Sequence, residues 1–173
     1  TPASARTLSL TGHFMQGGLI TGQTNPGAKV SLDGKKLRVS PDGLFVFGLG
    51  RNAESEVVIK TKLPSGEIYL ENFEIEKRKY RIQRINGLPK KMVTPSPETM
   101  DRIRREGKAI RSARAVFTMA THFRAGFIWP SKGQISGVYG SQRILNGESR
   151  QPHLGVDIAA PKGTPVLASA AGK

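Results

Sequence analysis

The stretch Ala28-Lys29-Val30-Ser31-Leu32-Asp33-Gly34-Lys35-Lys36-Leu37-Arg38-Val39 reads as a β-hairpin. Apolar positions alternate with polar ones on both sides of Asp33-Gly34-Lys35-Lys36, and a period of two puts them on one face of a strand. Asp-Gly supplies the positive φ that a tight hairpin turn requires. Just beyond lies a second turn, Ser40-Pro41-Asp42-Gly43, where Pro41 fixes one dihedral and Gly43 accepts a left-handed conformation. It leads into Leu44-Phe45-Val46-Phe47, and further strands are expected over 57–61, 68–75 and 80–85. Nothing in these strands looks catalytic.

Strand and turn signals recurring about every 8–12 residues argue for a small all-β domain. The expectation is a mainly β chain whose residues 1–86 form an immunoglobulin-like β-sandwich. The 173 residues carry 27 Lys+Arg against 13 Asp+Glu, a net charge of +14, and a hydrophobic share of 37%, enough for a globular core. No apolar run approaches the roughly 20 residues of a membrane-spanning helix. The absence of Cys excludes a disulfide scaffold, a thiolate zinc finger and a cysteine nucleophile, and leaves a zinc site of His and carboxylate open. The charge points to a polyanion: nucleic acid, anionic lipid headgroups or the acidic polymers of a bacterial wall. No zinc-finger or RNA-recognition aromatic pattern accompanies it, so no specific nucleic-acid partner is expected. The opening Thr1-Pro2-Ala3-Ser4-Ala5 is the kind of small-residue stretch left behind a removed secretory signal.

Residues 87–126 read as a linker followed by a basic amphipathic helix. Ser96 is a plausible N-cap with Pro97 at the first helical position. Met100, Ile103, Gly107, Ile110, Arg114 and Phe117 follow at three- and four-residue steps, and Arg102, Arg104, Arg105, Lys108 and Arg111 occupy the other face. Those cations either grip phosphates or acidic wall polymers or, the commoner case, form the solvated face of a helix packed on a neighbouring domain. Lys77-Arg78-Lys79, Arg81 and Arg84 alternate with Tyr80, Ile82 and Ile85 as the outer face of a strand would.

From Phe127-Ile128-Trp129-Pro130 onward the chain is Gly-rich, with β-prone runs at 135–139, 155–158 and 166–168 and a turn at Asn146-Gly147. Here His153 precedes Asp157 by four residues in Gln151-Pro152-His153-Leu154-Gly155-Val156-Asp157-Ile158. The spacing alone is a weak signal. A shared zinc needs the two donor atoms within about 3.5 Å of each other, whereas positions four apart on an extended strand stand about 13 Å apart. A bend or bulge is therefore required, and Gly155 permits one.

The surrounding words sharpen this. Gly137-Val138-Tyr139-Gly140-Ser141-Gln142-Arg143, then His153-x-Gly155-x-Asp157-Ile158-Ala159-Ala160-Pro161, then Gly163-Thr164-Pro165-Val166, Ala168 and Gly172 form an ordered series. Together they resemble the lysostaphin/LytM-type zinc endopeptidases, over about the last quarter of the chain. The β-rich first region and the basic helix look like the N-terminal part of exported Gram-negative members. The resemblance implies that residues 127–173 are the N-terminal portion of an antiparallel β-sheet peptidase domain. It implies one zinc ion held by His153 and Asp157, with the third ligand on the second His of a later H-x-H motif. In that family a zinc-activated water attacks a peptide bond of peptidoglycan or its stem peptides, and a further His, usually the first of the H-x-H pair, assists. Arg143 and Tyr139 are the candidates for substrate contact. Their alternatives are an exposed loop arginine and hairpin packing, and packing is also the expectation for Trp129.

The sequence departs from that pattern in one respect. Its three His are His13, His122 and His153, and no H-x-H occurs. His13 and His122 read as ordinary strand or loop histidines. The expectation is that the assisting His lies beyond Lys173, that the 173 residues are inactive as they stand, and that the whole protein is a peptidoglycan hydrolase of the periplasm or cell envelope. The competing expectation is a non-catalytic envelope factor that regulates or scaffolds cell-wall hydrolases.

Overall fold

Asp33 has a φ of 47° and Gly34 a φ of 77°, the left-handed pair of a two-residue hairpin turn. In the computed structural model, which describes residues 8–89, 95–116 and 118–172, this turn joins β3 (Lys29–Leu32) to β4 (Lys35–Lys36). Ser31 pairs with Lys36 and Leu32 with Lys35. The turn is thus the two-residue Asp-Gly turn, because two left-handed residues match the twist of the strands and pairing resumes at once. Asp33 is also tied to the next strand. Its N–H donates to Val58 O at 2.9 Å, and its Oδ1 accepts from Val58 N at 2.8 Å.

Around this hairpin run β1 (Leu8–Thr11), β2 (Leu19–Thr24), β5 (Leu44–Gly48), β6 (Glu56–Lys62) and β7 (Ile68–Glu74). They form two antiparallel sheets with strand orders β1-β2-β5 and β4-β3-β6-β7. One buried cluster draws on both: Leu8, Ile20, Phe45 and Phe47 from the first, and Val30, Val57 and Ile59 from the second, with Leu49 and Ile75. The alternation in β6 is strict, with Val57, Ile59 and Thr61 buried between exposed neighbours, as period two demands. Gly22 on β2 stands opposite Phe45 in register, and the Phe45 ring fills the space its side chain would take. At the Ser40–Gly43 turn, Gly43 N donates to Ser40 O at 2.9 Å. The Ser40 hydroxyl donates to Asp42 Oδ1 at 2.5 Å and accepts from Leu44 N at 2.8 Å. That hydroxyl contact is the first reason the Asp42 carboxyl sits below the usual carboxylate range.

β8 (Ile82–Ile85) finds its partner far along the chain, running parallel to β10 (Gln142–Leu145). β10 turns through Asn146 (φ 51°) and Gly147 (φ 84°) into β11 (Glu148–Ser149). β9 (Gln134–Gly137) and β12 (Asp157–Ala159) form a separate antiparallel pair. Residues 166–168 form no strand; the segment is attached by Leu167 N to Pro130 O at 2.7 Å and Ile128 N to Ser169 O at 2.9 Å. Between them Trp129 stays 66% exposed, which corrects the expectation of core packing: two isolated bonds do not bring a layer over its ring.

The helix α1 (Pro97–Ala115) starts as its caps specify. Ser96 Oγ accepts from Thr99 N at 3.3 Å, with Pro97 in the first turn. Arg102–Glu106 and Asp101–Arg104 pairs, at 2.9 and 3.0 Å, line its surface. It buries no residue, and Ile103 and Ile110 are about half exposed. The apolar stripe is therefore present and, among the described residues, not buried. Phe117, residues 1–5, residues 90–94 of the linker and Lys173 lie outside the described residues. A single-turn 3₁₀ helix spans His122–Ala125.

The chain is mainly β, with several antiparallel sheets and, among the described residues, one α-helix. No helix among those residues is long and apolar enough to cross a membrane. The described residues divide into two units: those of Thr1–Lys79, Ala120–Gly133 and Ala160–Lys173, and those of Tyr80–Met119 and Gln134–Ala159. The second unit contains the site.

Candidate functional site

His153 is fixed through its backbone. Its N–H donates to Ser141 O at 2.8 Å, and its carbonyl accepts from Gly140 N at 2.7 Å. Gly140 sits in a left-handed conformation (φ 82°) with the Tyr80 ring lying against it where a Cβ would project. The chain bends at Gly155 and enters β12 at Asp157, which pairs with Gly137 of β9. The next pair is Ile158 with Ile135, so Ser136 is an extra residue on β9, a bulge opposite the carboxylate. The required departure from an extended strand is thus present. Gly155 serves as the bend without a positive φ, and a Cβ there would meet the His153 ring at ordinary distances, Cε1 at 3.7 Å and Nε2 at 4.0 Å.

The bend brings the two donors together: His153 Nε2 lies 3.3 Å from Asp157 Oδ1. This approach is not a hydrogen bond. Nε2 is buried and has no hydrogen-bond partner among the described residues. The side chains are 34% and 63% exposed, respectively. A buried ring nitrogen left without a hydrogen bond carries a desolvation cost, and a cation held between nitrogen and carboxylate would remove it. Two ligands of a tetrahedral zinc, each about 2.0–2.2 Å from the metal, stand about 3.4 Å apart. The pair therefore fits two corners of a zinc site. Among the described residues no group of three His, Cys, Asp or Glu side chains comes together to complete one.

Gly137 keeps the space for the carboxylate. A Cβ built there would stand 2.9 Å from Asp157 Cγ, 3.1 Å from its Cβ, and in overlap with Oδ2. In the sequence Gly137 stands out only as part of the family-like series. An isolated glycine inside a strand pattern is a sign of close approach, and this is what approaches.

Both donors line a cleft of about 800 Å³. Its wall includes Arg81, Gln83, Ser136, Ser141, Arg143 and Arg150. Arg143, expected as a substrate contact, is in the lining. Tyr139 is not, and its ring lies 6.5 Å from that of Tyr80 in a tilted pair. His13 is exposed, and His122 is exposed at the start of the 3₁₀ helix; neither lines the cleft. Arg81 and Arg150 were not singled out for the site in the sequence. The place of Arg81 depends on the parallel β8–β10 pairing, which no local signal announces, whereas Arg150 is carried by the β10–β11 hairpin. Neither a protein-family profile nor a curated protein sequence matches the chain.

Proposed function

We propose that the chain carries two zinc ligands, His153 and Asp157, of a zinc metallo-endopeptidase that hydrolyses peptide bonds of peptidoglycan at the cell envelope or in the periplasm. The observation that supports it is the 3.3 Å approach of Nε2 to Oδ1 with Nε2 buried and unbonded. The ordered resemblance to the lysostaphin/LytM-type enzymes adds the reaction. Zinc, when bound, supplies Lewis acidity toward a water and a peptide carbonyl.

The chain's own residues do the positioning. Gly140 and Ser141 hold the His153 backbone from both sides, Gly137 leaves room for the carboxylate, and the cleft beside them has the size to admit a short peptide. In this reading residues 1–86 are an accessory β-sandwich, supported by two sheets that share one core. The peptidase portion comprises residues 127–173, and the third ligand and the assisting His come from an H-x-H motif beyond Lys173. The basic surface faces peptidoglycan, anionic wall polymers or lipid headgroups. A non-catalytic envelope factor that regulates or scaffolds cell-wall hydrolases is the second reading.

The test is zinc content by elemental analysis together with release of soluble peptides from purified peptidoglycan, measured on protein extended to the H-x-H motif. One zinc per chain, lost along with activity in His153→Ala and Asp157→Ala, is expected. Unchanged zinc and unchanged cleavage in both variants would sink the proposal. Zinc binding without cleavage would favour the envelope factor.

A further inference from the structure

Three arginines converge on the cleft that holds His153 and Asp157. Arg81 precedes β8, Arg143 lies on β10 and Arg150 follows β11, and these strands are neighbours in the order β11-β10-β8. Backbone hydrogen bonds fix their relative positions: Gln142 N donates to Arg81 O at 3.0 Å, and Arg150 N donates to Arg143 O at 2.9 Å. Gln142 adds a side-chain bond from Nε2 to Arg150 O at 2.8 Å. Against the three cations, the lining holds one carboxylate, Asp157, which already faces His153.

Arg81 and Arg143 are exposed, and Arg150 is half-buried. Among the described residues neither Arg81 nor Arg143 forms an ion pair. Arg150 uses Nη2 on Glu148 Oε2 at 3.2 Å, while its Nε is buried with no hydrogen-bond partner among the described residues. A buried N–H without an acceptor is unfavourable, and a ligand oxygen relieves it. A guanidinium is planar, always charged and matched to a pair of oxygens.

We infer that this end of the cleft is an anion subsite in which Arg150 and Arg143, with Arg81 beside them, hold a free carboxylate of a bound peptide. The anion chemistry stands on the arginines alone; the choice of a peptide rests on the proposed peptidase reading. It makes the enzyme selective for peptides bearing a carboxylate close to the bond placed at His153 and Asp157. A phosphate would meet the same donors, and the test separates the two.

The test uses the 173-residue chain without zinc, titrated by calorimetry and by amide NMR with acetyl-Ala-Ala, with its C-terminal amide and with inorganic phosphate. The acid is expected to bind about tenfold more tightly than the amide, with shifts confined to residues of the cleft lining, and phosphate is expected to displace it. Arg143→Lys and Arg150→Lys keep the charge but lose the fork. Each is expected to bring the acid-to-amide ratio close to one at unchanged melting temperature. Equal binding of acid and amide, discrimination that survives both substitutions, or binding of phosphate without peptide would each overturn the subsite. A parallel zinc titration of the protein extended to the H-x-H motif keeps the two proposals apart. Discrimination without zinc binding removes the peptidase reading and leaves the subsite; zinc binding without discrimination does the reverse.

Discussion

Replacing Gly137 by Ala adds one methyl group at the point where Asp157 crosses β9. The added Cβ would stand 2.9 Å from Asp157 Cγ, whereas carbon atoms in contact settle at about 3.5–4.0 Å. The carboxylate must withdraw by about 1 Å or rotate away, because the backbone at Gly137 is one that alanine also adopts and nothing else relieves the overlap. Asp157 is 63% exposed, so its side chain can swing into solvent at little cost to the fold. The 3.3 Å separation from His153 Nε2 then opens past the roughly 3.4 Å that two zinc ligands require. Displacing a ligand through its support weakens metal binding by about 10–100-fold. Zinc affinity, measured by competition with a chromophoric chelator, should fall by that factor in Gly137→Ala. The melting temperature should move by only a few degrees, the equivalent of about 1 kcal/mol in a small domain. Wild-type zinc affinity in a folded Gly137→Ala protein would refute the reasoning, as would a structure of the variant with the Nε2–Oδ1 distance preserved.

Other consequences concern the fold that carries the site. Thr61 is 1% exposed and its hydroxyl has no hydrogen-bond partner among the described residues, so Thr61→Val should stabilise the chain by about 1 kcal/mol in denaturant unfolding. Gly147→Val forces a branched residue to a φ of 84° with open space around it; it should cost about 1–3 kcal/mol by the same measurement. The Asp42 carboxyl is held low chiefly by the Ser40 hydroxyl. Its contribution is therefore present above the ordinary carboxylate range and is lost as pH falls through its depressed value. Melting curves followed from pH 6 down to pH 2 should show a slightly shallower acid decline in Ser40→Ala than in the wild type.

The elements nearest in sequence were the most legible. Asp33-Gly34 and Asn146-Gly147 announced their turns because left-handed backbone selects those residue types, and the strand expected over 57–61 lies within β6. The His153–Asp157 pair was legible for the same reason: four residues apart, with a glycine between, the question was only whether the chain bends. What stayed hidden depends on residues distant in sequence. The parallel pairing of β8 with β10 joins residues about sixty positions apart and brings Arg81 to the cleft, and no period or turn signal encodes it. Gly137 was quoted as part of a series, but its clearance of the carboxylate appears only once β9 and β12 are paired with a bulge at Ser136. The helix stripe was read correctly as a pattern, yet an apolar face does not by itself bring a partner, and Ile103 and Ile110 remain about half exposed. Residues 166–168 are β-prone, but without a full ladder beside them propensity alone does not form a strand.

The central claim is that His153 and Asp157 bind one metal ion together. Imidazole nitrogen NMR of the chain during a zinc titration tests it most directly. Zinc is expected to shift Nε2 of His153 while His13 and His122 stay unchanged, and Asp157→Ala is expected to abolish the shift. A zinc-induced shift at His13 or His122 with His153 silent, or an undiminished His153 shift in Asp157→Ala, would contradict it.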